Sequence, residues 1–219
     1  MLMPHLHKAP LVGKHMRHIL IYIATILTGL ASFGQTVKRQ DSETTETFIK
    51  RLTPDTTQLV HQIIETNAWD TTSKAIIAFY GYDDSSDINT GFNEIAGHLY
   101  LPIGQNNYRD ISFGPIGEDG GYPEIISVFF ANADRDKAKE LIVLCKYEQR
   151  HYDYGGEFYE TFIYDNPVDN TDHLTYFNAL SEKFWGCECA WREEEKRKPE
   201  TAKYKTAKEV KAGLRKMGF

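Results

Sequence analysis

Cysteine is scarce and odd in number: Cys145, Cys187 and Cys189 are the only three in the chain. They are scattered and lack a second Cys or His pair at ligand spacing, which argues against a structural zinc site. Catalytic signatures are missing too. There is no Gly-x-Ser-x-Gly, no His-Glu-x-x-His and no phosphate-binding loop. Beyond residue 34 the histidines are His61, His98, His151 and His173, and none stands in a nucleophile or metal motif. No apolar run after that point approaches the roughly 20 residues that cross a bilayer. Positive charge is in deficit, with 25 Lys and Arg against 31 Asp and Glu. A phosphate backbone needs clustered cations, so nucleic acid is excluded as a partner. A basic protein or a divalent cation suits such a chain better.

What is present begins at the N-terminus. Lys8, Lys14 and Arg17 form a positive region, followed by the apolar run Ile19 to Ala31 and by small residues at Ser32 and Gly34. This is the layout of a secretory signal cut before Gln35, with Met16 as an alternative start. The apolar run has 13 residues, too few for a membrane anchor. No lipobox cysteine follows it. Residues 1–34 hold three cations and no acid, so the remainder carries a formal charge of −9. The expected location is periplasmic or secreted, with no membrane span once the signal is removed.

Apolar residues at 41% and aromatics at 13% suffice for a packed core. Residues 36–47 are polar and read as loose. Thr53-Pro54 reads as an N-cap and first helical position. With Leu59, Val60, Ile63 and Ile64 it predicts a helix over 54–66. Strands are expected at 75–82, 95–101, 108–113, 124–130, 140–147 and 158–164, separated by Gly and Pro. The last two read as a hairpin with a long tip over 148–157, turning at Gly155-Gly156. Leu174, Phe177, Leu180 and Phe184 predict a helix over 172–185. Ala207, Val210, Leu214 and Met217 predict another over 200–217. The fold class is therefore α+β: mainly an antiparallel meander sheet, barrel- or propeller-like, with a preceding helix and two C-terminal helices. The expected organisation is a signal at 1–34, a polar segment and helix at 35–70, a β-rich core at 71–190, and a charged linker and helix at 191–219.

Three groups of residues could carry function. In the run Asn132 to Glu140, side-chain oxygens recur at Asn132, Asp134, Asp136 and Glu140, and Ala138 could add its carbonyl. Alternate oxygens aimed at one centre suit a hard cation, here a structural Ca2+. The same run also reads as a polar turn in which Asn132 and Asp134 bond their own backbone. It is not an EF-hand, because Lys137 and Val143 stand where glycine and glutamate belong. The second group is the Tyr-rich hairpin tip, with Tyr147, Arg150, His151, Tyr152 and Tyr154 as partner-binding residues. A glycan stacking on the tyrosines is a sub-case. The third is the cysteines: in an oxidising compartment Cys145 bridges Cys187 or Cys189, or Cys187 closes on Cys189. The acidic turn Asp83 to Asp87 reads as solvated.

The Asn132–Leu141 loop entering a Leu-Ile-Val-Leu strand resembles the calcium loop of FG-GAP/VCBS-type repeats. The surroundings, roughly residues 75–165, look like single-domain periplasmic proteins carrying one such loop, some of them lysozyme-inhibitor-like or immunity proteins. The resemblance implies Asn132, Asp134, Asp136 and Glu140 as ligands. Lys137 departs from the pattern at the glycine position, which bears on metal binding more than on the turn. The expectation is an exported, non-enzymatic binding protein, inhibitor- or immunity-like. The alternatives are an envelope hydrolase acting on glycans or peptides, with His98 or His151 beside acids, and an envelope structural or assembly factor.

Overall fold

The computed structural model describes residues 35–69, 73–82, 92–117, 119–192 and 198–219. The signal-like segment 1–34 and the acidic turn at Asp83 to Asp87 lie outside the described residues. Among the described residues ten strands form two antiparallel sheets, and one sheet is curled into a half-barrel. The first sheet contains β1 (Thr36–Lys38), β2 (Thr57–Leu59), β3 (Ile64–Thr66), β4 (Ala75–Tyr82), β5 (Glu94–Gly104) and β6 (Asn107–Gly117), in the order β1-β6-β5-β4-β2 with β3 also on β4. The second contains β7 (Pro123–Ala131), β8 (Glu140–Arg150), β9 (Tyr154–Tyr164) and β10 (Gly186–Trp191), in the order β10-β9-β8-β7. Three helices among the described residues flank them: α1 (Thr45–Leu52), α2 (Asn178–Ser181) and α3 (Ala207–Met217), with a 3-10 turn at Glu182–Phe184 after α2.

The period of two along a strand sends alternate side chains to opposite faces. Ile77, Phe79, Leu99, Ile111 and Phe113 of the first sheet meet Leu141, Val143, Cys145, Tyr147, Phe162 and Tyr164 of the second in one central core. The intervening residues face outward and are covered by helices. Phe48 and Ile49 of α1 lie on Ile76, Ala78, Tyr80 and Tyr100. Val210 and Leu214 of α3, with Phe184, lie on Ile142, Leu144 and Ile163. Burial on both faces is why 75–82 and 140–147 read as continuous apolar runs.

The helix expected over 54–66 is not there. Thr44 caps α1 nine residues earlier, its hydroxyl accepting from the Thr47 amide. Residues 57–59 and 64–66 are short strands, both paired with β4. Thr56, Thr57, Val60, Ile63, Ile64 and Thr66 are β-branched and stiff in a helix, while β4 offers an open edge whose Phe79 carbonyl takes the Val60 N–H. The loose segment at 36–47 likewise contributes β1, which pairs with β6, and the start of α1.

The helix expected over 172–185 shrinks to α2 and the 3-10 turn. Residues 172–174 run beside β6 instead, with Leu174 N–H donating to the Ser112 carbonyl and Ser112 N–H to the Asp172 carbonyl. The final helix starts at Ala207 rather than 200. Thr206 accepts from the Glu209 amide, the Glu209 carboxylate takes the Lys205 amide in return, and Gly218 ends the helix at φ 94°. Strand β10, over Gly186–Trp191, was not legible in the sequence.

Candidate functional site

The loop between β7 and β8 is tied together by its own side chains. Asn132 Nδ2 donates to the Asp136 carbonyl at 3.2 Å. Asp134 Oδ1 accepts the Asp136 N–H and Asp136 Oδ1 accepts the Ala138 N–H, each at 2.7 Å. These are the self-bonded turns that short acidic side chains favour. Ala138 therefore presents its N–H to the loop. Glu140 opens β8 and is fully buried, its Oε2 accepting from the Ala133 N–H.

One carboxylate absent from the sequence-derived set joins this loop. Asp165 follows the last residue of β9, and the register Leu141↔Tyr164 puts it beside Glu140. Carboxylate oxygens of Asp134, Glu140 and Asp165 all lie within 4.8 Å of one another. Asp136 stands outside this trio, and the Asn132 amide nitrogen is engaged within the loop. The second oxygen of Glu140, Oε1, is buried without a hydrogen-bond partner among the described residues. A buried, unpaired carboxylate oxygen is costly unless a proton or a cation meets it.

The electrostatics follow from that crowding. Burial, then the charges of Asp134 and Asp136, push the Glu140 carboxyl up to about 7 against the pull of the Ala133 N–H. Burial also raises Asp165, with Asp134 and Asp136 adding to the rise. Three carboxylates brought this close together can hold a divalent metal ion. The donors are hard oxygens with no thiol or imidazole among them, so the trio fits an oxygen-seeking ion rather than a soft one.

The hairpin tip is shorter than expected. The strands continue to Arg150 and resume at Tyr154, leaving a turn of His151, Tyr152 and Asp153 closed by His151 N–H to the Tyr154 carbonyl at 2.9 Å. Gly155 and Gly156 are inside β9, where β10 crosses. A Cβ on Gly156 would sit 2.1 Å from the Glu188 carbonyl oxygen. The glycines mark a close backbone approach, not the turn.

Of the five tip residues, Tyr147 has no surface to offer. It is fully buried in the central core and donates its hydroxyl to Glu160 Oε2 at 2.8 Å. Arg150 is exposed and pairs with Glu148 at 2.7 Å. His151 stacks on Tyr154 with ring centroids 4.2 Å apart, and Tyr154 meets Trp191 at 4.7 Å. Tyr152 is 84% exposed, with Arg192 over its ring at 5.6 Å. Trp191 and Arg192, missed in the sequence, reach the tip because β10 pairs Trp191 with Tyr154.

A bridge to Cys145 is ruled out by placement. Cys145 is free and fully buried in the central core, and burial pushes its thiol well up. Cys187 and Cys189 are bonded to each other within β10. Elsewhere His98 Nδ1 meets Asp110 Oδ1 at 2.7 Å, near the hydrogen-bonded hydroxyls of Tyr80 and Tyr100.

No family model matches the chain, and no curated protein and no solved structure is significantly similar to it. No helix among the described residues is long and apolar enough to cross a membrane.

Proposed function

We propose that this chain is an exported, non-enzymatic binding protein that presents the β8–β9 turn to a partner and braces the root of that hairpin with a structural Ca2+. The observation that carries the cation is the buried Oε1 of Glu140, unpaired among the described residues, on a carboxylate that forms a trio with Asp134 and Asp165. The likeness of the 132–141 loop to FG-GAP/VCBS calcium loops supports Ca2+ over other hard cations. Asp134, Glu140 and Asp165 would hold it, with backbone and water oxygens completing the six to eight that Ca2+ takes. The ion would offset most of the charge of the three carboxylates and join the β7–β8 loop to the end of β9. Export is supported by the charged, apolar and small-residue layout of residues 1–34. Recognition is supported by Tyr152, exposed at 84% with Arg192 over its ring.

The cation is tested by melting the protein with Ca2+ and in chelator. At about 100-fold over Kd the expected rise in Tm is about 5–10 °C. Asp134→Ala and Asp165→Ala are each expected to abolish the rise. No rise, or a rise that survives both substitutions, rejects the site. Recognition is tested by capture from envelope or culture extract. A partner retained by the unaltered chain is expected to be lost with Tyr152→Ala and Tyr154→Ala together, and undiminished capture removes the turn from the reading.

A further inference from the structure

A cavity of about 260 Å³ lies beside the hairpin turn, under β10. Its aromatic walls are Tyr154, Phe158 and Trp191, the Cys187–Cys189 disulfide closes one side, and its charged members are Asp119 and Glu200. Among the described residues no lysine or arginine lines it. Aromatic faces carry negative potential, and two carboxylates beside them add to it. Such a box repels anions and gives a neutral ligand no use for two charges. It suits an alkyl cation, whose apolar stem lies on the rings while the charged head meets the acids.

The walls are fixed before any ligand arrives. Tyr154 is clamped between His151 at 4.2 Å and Trp191 at 4.7 Å. Glu200 is held by two backbone hydrogen bonds to Cys189, at 2.9 and 3.2 Å. Asp119 is held through its carbonyl, which accepts from Gln149 Nε2 at 2.6 Å, and through its N–H to the Gly121 carbonyl at 3.1 Å. Neither carboxylate is in an ion pair among the described residues. Both are exposed, so charge is available without a large desolvation cost. A rigid aromatic box with unspent charge loses little entropy on binding.

We infer that the cavity formed by Tyr154, Phe158, Trp191, Asp119 and Glu200 receives a lysine or arginine side chain of a basic protein partner. The inference rests on the binding-protein reading and names the chemistry of the partner. A formal charge of −9 beyond residue 34 adds long-range attraction for the same kind of partner.

The probe is tri-lysine, titrated calorimetrically at low salt into the chain beginning at Gln35, with tri-lysine acetylated on its side chains as the neutral control. The expected result is saturable binding of tri-lysine, at least about tenfold weaker binding of the acetylated peptide, and a similar loss with Asp119→Asn plus Glu200→Gln. Trp191→Phe is expected to retain binding and Trp191→Ala to lose it. Melting curves confirm that each variant is folded, which is expected because both acids are exposed. Equal affinity for the acetylated peptide, full affinity in the double acid variant, or no binding of tri-lysine overturns the inference. Extract capture that depends on Tyr152 and Tyr154 but not on Trp191 would leave the binding-protein reading intact and remove the cavity from it.

Discussion

In metal-free buffer the protein is expected to lose stability as the pH rises from about 4.5 to about 7. The Glu140 carboxyl has its folded pKa raised from 4.5 to about 7, chiefly by burial. Between those values the folded chain keeps a proton that the unfolded chain has released. Unfolding therefore liberates a proton, and raising the pH favours it. The stabilisation is complete below the unfolded value and is lost as the pH passes through the folded one. Its ceiling is about 3 kcal/mol, or about 6–12 °C in Tm. Asp165, also raised, contributes with the same sign.

The lowered carboxyls Glu43, Glu65, Glu157 and Glu209 give the opposite slope, but at lower pH. From about one pH unit above 4.5 they are largely ionised in both states, so the two effects separate over the upper part of the window. Glu140→Gln keeps a polar group of the same shape without the titration and is expected to reduce the slope across the 4.5–7 window, leaving the smaller share of Asp165 and of Glu160, which burial raises in the same direction. Denaturation curves at four pH values, for the parent chain and for this variant, provide the check. A flat parent profile, or an unchanged slope in the variant, would show that Glu140 does not titrate there.

Gly97→Val is expected to cost at least about 3 kcal/mol, the upper part of the range for overpacked cores. Gly97 pairs with Phe113 across β5 and β6, and the phenyl ring lies flat over the space where a side chain would be. A Cβ at Gly97 would stand 2.0 Å from the ring carbon Cε2. The ring has nowhere to retreat. Phe113 is 4% exposed, with Phe79 at 5.5 Å and Tyr164 at 5.1 Å. These contacts join the two sheets, so displacing the ring disturbs both. Urea unfolding measures the cost, and a variant within 1 kcal/mol of the parent would mean the core relaxes far more easily than native packing allows.

Much of this fold is visible in the sequence because its strands are buried on both faces or bounded by Gly and Pro. The runs at 75–82 and 140–147 needed no tertiary information. Residues 57–66 misled because Leu59, Val60, Ile63 and Ile64 satisfy a helical period, while the outcome was set by the open edge of β4. The third carboxylate of the trio is hidden in the sequence by the position of the turn. Centring the hairpin turn on Gly155-Gly156 sets Glu140 opposite Thr171, whereas the observed turn at 151–153 sets it beside Asp165. A glycine pair inside a strand has two meanings, a turn or a close neighbour, and the neighbour here is β10, whose pairing was not legible. Tyr147 looked like a tip residue for the same reason: the strand runs on past it, and its period points it into the core.

The hairpin of β8 and β9 also has a mechanical consequence. Its eleven-residue strands place the tip about 35 Å from the carboxylate trio at the root, at about 3.4 Å per residue. A partner tugging on Tyr152 along the strand axis loads the ladders to β7 and β10 sideways, so that many hydrogen bonds must slip together instead of parting one by one. The far end of that loaded strut is where Asp134, Glu140 and Asp165 meet, so an ion seated there would act as a rivet at the point to which tension on the tip is delivered.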